Sequence, residues 1–566
     1  MRILGINVWL HDTAVALLED DRIVAAVEEE RLANVKHIAG YGMGGRSPDC
    51  AIQWLFQTYH LTFDDIDHVA VSYDLTAPIA AYTTLNALRV GRQRMTFRNM
   101  WRLRKGRGDP NWRTLAGNVT GYFQMQKYLK GLRRTVGSLV PFRHHVAHAA
   151  SAFRCSGFDR ANILVADGIG ETESLSLFVG EGNDIRLLKS FAFDKSVGSL
   201  YRNVMYLTGF GPWSEGKLMG LSAYGRVRPE FSGLIQISDG DYRFNTLLLR
   251  RIGEKYVNLA GGDFTQDHKD LAATVQHEIE QLLVYLTRWM HGETGYRHLC
   301  LAGGVALNCQ ANAAMLECGC VEEVFVQPAA DDAGSALGAA LELRAALGLP
   351  MKTALEHPYL GPAFSDDEIR SAIEKSGLPF ERHDDPAQAA ADLIARELVI
   401  GWFQGRLEFG PRALGNRSIL ASPVHREMAD RVNDIKQRER WRPLAPSILA
   451  ERVGDYFLKA LPSPFMTLAL TVRPEVRDRI AAVVAVDGTA RLQTVEARQN
   501  PLFHRLLERV EERLGVPVVL NTSFNKRGRP IAAAPEDAIR NFLDTPLDRL
   551  VMGNYVVRKR QGPQKP

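Results

Sequence analysis

The sequence predicts an α/β protein made of two units, and three observations support this. From residue 2 to residue 346, strand-sized apolar runs alternate with segments of helical periodicity. This alternation pauses at Gly348-Leu349-Pro350, and a second α/β alternation follows. The chain has 566 residues, 46% of them apolar and 24% charged, which is enough material for two large cores. We therefore expect domains over residues 1–355 and 356–566.

The elements of the first domain follow from periodicity and turn residues. Its first three strands form a meander with a turn at Asp20-Asp21. The predicted strands are Arg2–Val8, Thr13–Leu18, Ile23–Glu28, Val69–Tyr73, Ile163–Ala166, His298–Ala302 and Val324–Gln327. The predicted helices are Pro48–Tyr59, Asp270–His291 and Ala333–Ala346.

One segment, residues 86–136, is much more basic than the rest of the chain. It holds 13 of the 69 Lys and Arg and one of the 65 acids, so 56 basic and 64 acidic residues lie outside it. Helical spacing on both sides of Gly108-Asp109-Pro110 predicts a hairpin of two amphipathic helices. Such helices bind an anionic acceptor, RNA or a membrane surface, or else pack on the body with their charges in solvent.

The second domain has the same kind of alternation after a linker that reaches Phe364. Its predicted helices are Asp367–Ser376, Ala387–Glu397, Arg426–Ile435, Pro501–Leu514 and Pro535–Asp544. Its predicted strands are Val399–Phe403, Phe465–Thr471, Ala490–Val495, Val516–Leu520 and Val551–Arg558.

Four motifs of the first domain are suited to holding a nucleotide. Ile3–Leu18 and Ile163–Gly180 each run from a strand through a polar turn into another strand, and such turns present backbone N–H groups to phosphate. In Leu301–Met315, Gly303-Gly304 lets the backbone approach a ligand closely. The fourth motif, Gln327–Ala340, places acids at the start of a helix. In this order the motifs resemble the bipartite architecture of the actin, sugar-kinase and heat-shock-protein superfamily.

Two histidines and two aspartates of this domain form a candidate metal site. His144 and His148 are four residues apart and lie on one face of a helix, where both can reach one ion. Asp167 ends a strand, and Asp332 lies in the fourth motif. Two imidazoles and two carboxylates suit Fe, Zn or Mn better than Mg. Ordinary core histidines are the alternative interpretation.

The second domain concentrates arginine on glycine-bearing loops. The guanidinium fork binds phosphate and carboxylate through two hydrogen bonds, so such loops suit anionic substrates. Interspersed acids favour the alternative of a salt-bridged surface, but the run GPRALGNRS is typical of a loop that approaches a ligand. The cationic residues of this stretch include Arg406, Arg412, Arg417, Lys436, Arg438, Arg440 and Arg442. Arg491 and the polar turn Asn521–Asn525 follow.

Motifs along nearly the whole chain, though not in residues 86–136, resemble those of the O-carbamoyltransferase family. That family includes the nodulation-factor carbamoyltransferase and the tobramycin- and novobiocin-type antibiotic carbamoyltransferases. The motifs include HDTAVAL, HHVAHAASAF, VADGIGETES, LAGGVALN, DDAGSALGAA, GRLEFGPRALGNRSILASP, KQRERWRPLAPS and VVLNTSFN. The resemblance implies a duplicated ribonuclease-H-like first domain, of the actin, sugar-kinase and heat-shock superfamily, and a YrdC-like α/β second domain.

The same resemblance implies an activity and its residues. The second domain would convert carbamoyl phosphate and Mg-ATP into carbamoyl-adenylate. The first domain would pass the carbamoyl group to a hydroxyl of a small-molecule or glycan acceptor in natural product biosynthesis. The implied adenylating residues are Lys436, Arg442, Arg491 and Ser523, with Arg412 and Arg417 in the same pocket. The implied Fe2+ ligands are His144, His148, Asp167 and Asp332, chosen over the adjoining Asp331. His11 would line the transfer site, and Gly303 and Gly304 would contact substrate or nucleotide.

The sequence also leads to expectations about where the protein is located, which partners it binds and which other functions remain possible. Six cysteines without a CxxC pair, and His11 and Asp12 where a signal peptide would be apolar, predict a cytoplasmic protein. We expect carbamoyl phosphate, ATP and a hydroxyl-bearing acceptor as partners, no integral membrane contact and no nucleic acid, and a homodimer stays open. The rivals are a tRNA-modifying threonylcarbamoyl-type enzyme with salt-dependent tRNA binding, a kinase that uses the first domain alone, and a non-catalytic binding protein.

Overall fold

A computed structural model describes residues 1–9, 11–41, 45–74, 110–258, 263–350 and 354–560, with the backbone alone for 110–119. The chain divides into two compact units. The first unit comprises Met1–Glu29 and His37–Leu355, and the second comprises Glu30–Lys36 and Glu356–Pro566. Within the described residues, no helix is both long enough and apolar enough to cross a membrane.

The first unit begins with a five-stranded sheet. Its strands are β1 (Arg2–Asn7), β2 (Ala14–Glu19), β3 (Arg22–Glu28), β4 (His68–Val71) and β5 (Leu139–Pro141). The order is β3-β2-β1-β4-β5. The predicted meander β1-β2-β3 is antiparallel, whereas β4 pairs parallel with β1 and β5 pairs parallel with β4. Almost every residue of β1 and β2 is buried, which explains why these strands read as unbroken apolar runs.

The second sheet of this unit repeats the topology of the first. The next strands are β6 (Arg160–Ala166), β7 (Glu173–Glu181), β8 (Asp184–Ala192), β9 (Ile235–Ser238), β10 (Asp241–Phe244), β11 (His298–Ala302) and β12 (Glu323–Val326). The sheet order is β12-β11-β6-β7-β8, and β9 and β10 form a separate hairpin. Strands β6, β7 and β8 are antiparallel neighbours, and β11 and β12 run parallel to β6, as β4 and β5 run parallel to β1. The predicted duplicated α/β architecture is therefore confirmed.

Small residues allow two helices to pack closely behind these sheets. The helices up to residue 346 are α1 (Glu29–Leu32), α2 (Asp49–Tyr59), α3 (Pro110–Thr135), α4 (His144–Ser156), α5 (Val197–Leu207), α6 (Glu215–Ser222), α7 (Thr246–Tyr256), α8 (Gln266–Thr294), α9 (Cys309–Leu316) and α10 (Asp332–Ala346). A Cβ on Gly338 of α10 would lie 1.8 Å from the carbonyl oxygen of Ala147 in α4. A Cβ on Gly5 of β1 would lie 2.0 Å from the carbonyl oxygen of Ala336. Glycine at both positions therefore lets α10 lie against β1 and α4, which fixes the start of α10 near the start of α4.

Only part of the predicted basic hairpin can be compared with the structure. Its first arm lies outside the described residues, and its second arm corresponds to α3.

The second unit is built on one nine-stranded sheet. Its strands are β13 (Phe380–Arg382), β14 (Ile400–Phe403), β15 (Arg417–Ala421), β16 (Ala445–Leu449), β17 (Leu468–Thr471), β18 (Thr489–Val495), β19 (Val518–Ser523), β20 (Arg549–Met552) and β21 (Tyr555–Val557). The order is β13-β21-β20-β14-β15-β19-β16-β18-β17. The single strand predicted at Val551–Arg558 is wrong, because Gly553 (φ +53°) turns the chain and makes β20 and β21 a hairpin.

Helices cover the sheet of the second unit with amphipathic faces. They are α11 (Asp366–Ser376), α12 (Pro386–Ala395), α13 (Arg426–Ile435), α14 (Val453–Tyr456), α15 (Pro501–Leu514) and α16 (Pro535–Leu543). The buried residues of α15 recur at helical spacing, namely Phe503, Leu506, Leu507 and Val510. They pack in one core cluster with Trp402 of β14 and the alanines of α12. The predicted α/β class is confirmed in both units.

Candidate active sites in the two units

Four buried side chains of the first unit lie together and form the His/Asp cluster. They are His144, His148, Asp167 and Asp332. Helix α4 carries both histidines one turn apart, Asp167 directly follows β6, and Asp332 is the first residue of α10. One ligand atom from each residue lies within 4.8 Å of the others. The structure thus brings together the two histidines and two aspartates that the sequence predicts as metal ligands.

Distances within the His/Asp cluster are those of side chains that converge on one point. The Nε2 atom of His144 lies 3.1 Å from Nε2 of His148, 3.3 Å from Oδ2 of Asp167 and 3.4 Å from Oδ1 of Asp332. Both carboxylate oxygens of Asp332 are buried and accept no hydrogen bond of good geometry from the described protein. A buried carboxylate without donors is costly unless a cation neutralises it. The donor set therefore fits a divalent metal of the Fe, Zn or Mn type.

Neighbouring groups hold His144 in the orientation that the cluster needs. Tyr73 stacks on the imidazole with ring centroids 4.3 Å apart, and its hydroxyl lies 3.4 Å from Nε2. The other ring nitrogen, Nδ1, lies 3.4 Å from the carbonyl oxygen of Ser72. The backbone N–H of His144 donates to Glu171 at 2.8 Å. Such outer contacts select which nitrogen faces a ligand.

His145, between the two cluster histidines, points elsewhere. Its Nδ1 lies 2.8 Å from the hydroxyl of Ser176. Burial, followed by the nearby positive charge of His144, lowers the pKa of His145 to about 3, so its ring is neutral. His145 is therefore a core histidine, which is the alternative that the sequence left open for His144 and His148.

His11 lies at the edge of the His/Asp cluster. Its Nδ1 is 2.6 Å from Oδ2 of Asp12, and its Nε2 is 3.9 Å from Oδ2 of Asp332. Trp213 contacts the ring edge-on with centroids 5.3 Å apart. Burial disfavours the imidazolium, but the charges of Asp332 and Asp12 outweigh burial and raise the pKa of His11 to about 10. A metal cation would act against that rise by repulsion.

The adjoining acids Asp331 and Asp332 have different roles. Asp331 is the N-cap of α10, and its side chain accepts a hydrogen bond from the backbone N–H of Ala333 at 3.2 Å. Burial, followed by the charges of Asp12 and Glu28, raises the pKa of Asp331 well above its usual range. Asp332 is therefore the residue of this pair that faces the histidines.

Gly303 and Gly304 allow the ends of β6 and β11 to approach each other. Gly303 has a φ of +85°, and a Cβ there would lie 2.3 Å from the carbonyl oxygen of Ala166. A Cβ on Gly304 would lie 3.3 Å from Oδ1 of Asp167. Both glycines thus border the His/Asp cluster, and Gly303 has a packing role there.

A group of cations, here called the Lys/Arg cluster, marks the second unit. Its members are Lys436, which is buried, and Arg438, Arg442 and Arg491, which are half-buried. Lys436 directly follows α13, and its Nζ donates to the carbonyl oxygens of Ser523 and Asn525 and to Oδ1 of Asn525 at 3.0 Å. Burial, followed by the charges of Arg438 and Arg442, keeps the pKa of Lys436 well below its usual range.

The arginines of the Lys/Arg cluster also feel each other's charge. Burial, followed by Arg442 and Arg491, lowers the pKa of Arg438. Arg438 Nη2 is buried and donates no hydrogen bond within the described part of the chain. Arg442 is 31% exposed, and its Nη1 lies 3.9 Å from Glu439. Like charges held together out of water are costly until an anion joins them, so this cluster fits a phosphate-bearing ligand.

The side chain of Arg417, which the resemblance assigns to the substrate pocket, contacts the protein itself in this structure. Its guanidinium is fully buried and lies 3.7 Å from the centroid of the Phe403 ring. It donates to backbone carbonyl oxygens of the loop and its surroundings, those of Pro362, Gln404, Gly405 and Asn416. These bonds fix the loop between β14 and β15, on which Arg412 lies half-buried.

Glu408 organises the same loop from within. Its Oε1 accepts hydrogen bonds from the backbone N–H groups of Leu414, Asn416 and Arg417, at 2.8, 2.8 and 3.1 Å. Glu408 therefore has a role inside the loop, whereas Asp434 forms an exposed ion pair with Arg440, as a salt-bridged surface would require.

Sequence reasoning missed several residues of these two sites. Arg438 was noted only as one cation of the run and given no role. Asn525 lies in the motif NTSFN, which pointed to Ser523 instead. Tyr73 ends a strand that was predicted correctly, but nothing local indicates that its ring lies on His144. Lys36 contributes to the electrostatic field at Lys436 although it lies far away in the sequence.

Comparisons with known proteins give a consistent family. Residues 2–341 match the family model described as Carbamoyltransferase N-terminus, and residues 391–559 match Carbamoyltransferase C-terminus. The nodulation protein NolNO of Sinorhizobium fredii is 39% identical over 98% of this chain and 80% of its own. The nodulation protein NolO of Bradyrhizobium diazoefficiens is 42% identical over 74% of this chain and 79% of its own. An uncharacterized protein of Synechocystis, sll1178, is 35% identical over 100% of this chain and 97% of its own.

Solved structures with similar backbones are more distant. Component A of (R)-2-hydroxyglutaryl-CoA dehydratase from Acidaminococcus fermentans has a TM-score of 0.35 at 16% identity, over 61% of this chain and 99% of its own. Full-length HypF in its phosphate- and nucleotide-bound form has a TM-score of 0.36 at 13% identity, over 61% of this chain and 46% of its own.

Proposed function

The chain belongs to the carbamoyltransferase family, and from that premise we propose that it is an ATP-dependent O-carbamoyltransferase. The proposed acceptor is a hydroxyl of a small molecule or glycan in natural product biosynthesis. The observation that carries the proposal is the Lys/Arg cluster. A transferase that used the first unit alone would have no use for buried and half-buried cations that repel one another in the second.

The proposed first reaction takes place in the second unit and produces carbamoyl-adenylate. Water releases phosphate from carbamoyl phosphate and leaves carbamate. A carbamate oxygen then bonds to the α-phosphorus of Mg-ATP, and the bond from that phosphorus to pyrophosphate breaks. The products are carbamoyl-adenylate, phosphate and pyrophosphate.

The Lys/Arg cluster suits this reaction because charge develops on phosphate oxygens in both steps. Fixed cations lower such a barrier most when burial excludes water and nothing needs to reorganise. The Nζ of Lys436 is already fixed by Ser523 and Asn525. Arg438 has a buried donor without a hydrogen bond. We assign Lys436, Arg438 and Arg442 to the phosphates, with Arg491 beside them. Arg417 and Glu408 position the loop that carries Arg412.

The proposed second reaction takes place at the His/Asp cluster. The acceptor oxygen bonds to the carbamoyl carbon, the bond from that carbon to the AMP phosphate breaks, and AMP leaves. Asp332 and its three partners would hold a divalent metal, which we assign as Fe2+. When bound, it supplies a Lewis acid for a carbonyl or phosphate oxygen. Asp12 holds Nδ1 of His11, so that Nε2 can hold the proton that the acceptor hydroxyl loses.

A direct test of the first reaction uses labelled carbamoyl phosphate. The purified protein is incubated with carbon-13-labelled carbamoyl phosphate and Mg-ATP, and mass spectrometry looks for labelled carbamoyl-AMP. We expect labelled carbamoyl-AMP together with phosphate and pyrophosphate. Lys436→Met should lower its formation by about 100-fold or more, as for loss of one preorganised charge donor. The matched control is Lys375→Met, which changes an exposed lysine of α11.

Two outcomes would contradict the proposal. One is pyrophosphate release that does not require carbamoyl phosphate, and the other is equal activity in Lys436→Met and Lys375→Met.

The second reaction is tested with a panel of aminoglycoside, polyketide and oligosaccharide acceptors. There, Asp332→Asn should abolish acceptor carbamoylation while leaving carbamoyl-AMP formation intact. Carbamoylation of tRNA instead of these acceptors would favour the tRNA-modifying alternative.

A further inference from the structure

Helix α3 has two opposite faces over the part whose side chains are described. One face is buried in the first unit through Met125, Leu129, Leu132 and, just beyond the helix, Val136. The other face, here called the cationic stripe, consists of Phe123, Lys127, Lys130 and Arg134. These four residues recur at intervals of four, three and four, which places them within an arc of about 60° at ~100° per residue. All four are exposed.

Within the described residues, the cations of the stripe have no charge partner. No ion pair or hydrogen bond links the side chain of Lys127, Lys130 or Arg134 to another described residue, whereas exposed arginines such as Arg250, Arg370 and Arg509 pair with a glutamate three or four residues away. One exposed acid, Asp49, lines the same cleft as Lys127. Even with that carboxylate nearby, the three cations give the stripe a positive potential.

Apolar groups accompany these charges. Phe123, at the head of the stripe, is 67% exposed, although a phenylalanine usually contributes to a core. On the flank of α3, Lys127 also lines a cleft of about 620 Å³. The apolar walls of that cleft are Ile52, Phe63 and Leu132, and Tyr41 and Tyr128 stand beside them. A partner that offers both negative charge and apolar groups would match this face.

We propose that the cationic stripe of α3 docks the protein on an anionic phospholipid surface. Basic side chains near such a surface gain from its negative potential, and an exposed aromatic ring inserts at the level of the headgroups. A nucleic acid would satisfy the charges, but its backbone offers no apolar partner for Phe123 or for the cleft. The proposal goes beyond the transfer reaction and does not depend on it.

The experiment is co-sedimentation of the full chain with lipid vesicles. Vesicles of phosphatidylcholine with about 30% phosphatidylglycerol are compared with pure phosphatidylcholine at ~0.1 M salt, where exposed charges still act over about 10 Å. We expect binding to the anionic vesicles alone, and its loss at ~1 M salt. The combined variant Lys127→Glu, Lys130→Glu and Arg134→Glu should lower the partition coefficient by about 100-fold or more, at roughly fivefold per basic residue removed. Phe123→Ser should weaken binding at unchanged charge.

The matched control reverses three exposed cations elsewhere, Arg186→Glu, Arg251→Glu and Lys375→Glu, which gives the same net charge. Circular dichroism and a thermal melt establish that both triple variants are folded. Vesicle binding in the control and its loss in the stripe variant support the proposal. Three results would overturn it: no binding of the unaltered protein to anionic vesicles, equal loss in both variants, or stripe-dependent binding of duplex RNA that is tighter than vesicle binding.

Discussion

Replacing Arg417 and Arg442 separately by methionine should separate stability from activity within one run of arginines. Both residues lie in the arginine-rich stretch of the second unit, and the sequence assigned both to substrates. In the structure, Arg417 is fully buried and bonded to backbone carbonyls, whereas Arg442 is 31% exposed and belongs to the Lys/Arg cluster. We therefore expect Arg417→Met to destabilise the second unit and Arg442→Met to impair carbamoyl-AMP formation.

The size of the stability effect follows from the contacts of Arg417. Its guanidinium donates to four carbonyl oxygens, and one such bond from a charged donor contributes about 1.5 kcal/mol at the low end. The Phe403 ring adds about 1 kcal/mol. Methionine avoids the cost of burying a charge, which offsets part of that sum. We expect Arg417→Met to lower the free energy of unfolding of the second unit by about 3–5 kcal/mol, and Arg442→Met to lower it by less than ~1 kcal/mol.

Hydrogen exchange followed by mass spectrometry reads these free energies locally. Peptides from β14, β15 and β19 report on the second unit without requiring that the whole chain unfold in one step. Carbamoyl-AMP formation is measured on the same samples at a temperature where both variants stay folded. An Arg417→Met variant that keeps its exchange protection within ~1 kcal/mol of the unaltered protein and loses activity as fully as Arg442→Met would contradict these roles.

Three further predictions concern metal, pH and anion binding. Asp332→Asn should lower metal affinity by at least ~10-fold, whereas the neighbouring Asp331→Asn should keep its metal, as measured by elemental analysis after dialysis; equal loss would contradict the ligand assignment. Burial and Arg438 hold the pKa of Lys436 below its usual value in the folded protein, so the unfolded chain binds the proton of this amine more readily. The unfolding free energy of the second unit should therefore rise with pH up to about pH 10.4. Its slope should be at most ~1.4 kcal/mol per pH unit, and urea unfolding of Lys436→Met at several pH values should show that part of the slope removed. Pyrophosphate at about 100 times its dissociation constant should stabilise the unaltered protein by ~2.7 kcal/mol, measured in a thermal shift assay. The Arg438→Met variant should lose most of that stabilisation. Equal stabilisation of the variant would show that Arg438 is not in the anion site.

The sequence could predict the His/Asp cluster because each of its members is placed by a local rule. Two histidines four residues apart share a helix face, and acids that end a strand or begin a helix lie at the edges of elements. The repeated topology of the two sheets then brings those edges together. Strands such as β11 (His298–Ala302) followed from apolar runs, whereas β5, β8, β13, β15 and β16 were not predicted.

The arginines of the second unit could not be sorted in the same way. Arg417 and Arg438 are the same residue type in the same basic stretch. Their roles differ because the acceptors of Arg417 include the carbonyl of Pro362, which is 55 residues distant in sequence. No local pattern indicates which guanidinium will donate to several carbonyls and which will keep a buried nitrogen, as in Nη2 of Arg438, without an acceptor among the described residues. The hairpin β20-β21 was missed for a related reason, since one glycine turn within an apolar run was read as strand.

The segment Glu30–Lys36 has a consequence for how this chain can be divided. It precedes nearly all of the first unit along the chain, yet Arg31 donates to the carbonyl of Gly410 at 3.0 Å and Asn34 donates to Asp537 at 2.9 Å, both in the second unit. A gene fragment that starts at residue 356 would encode a half with a missing piece, so a peptide spanning residues 30–36 would have to be supplied in trans. During synthesis, those seven residues leave the ribosome long before their partners, because Gly410 is made 379 residues after Arg31 and Asp537 is made 503 residues after Asn34.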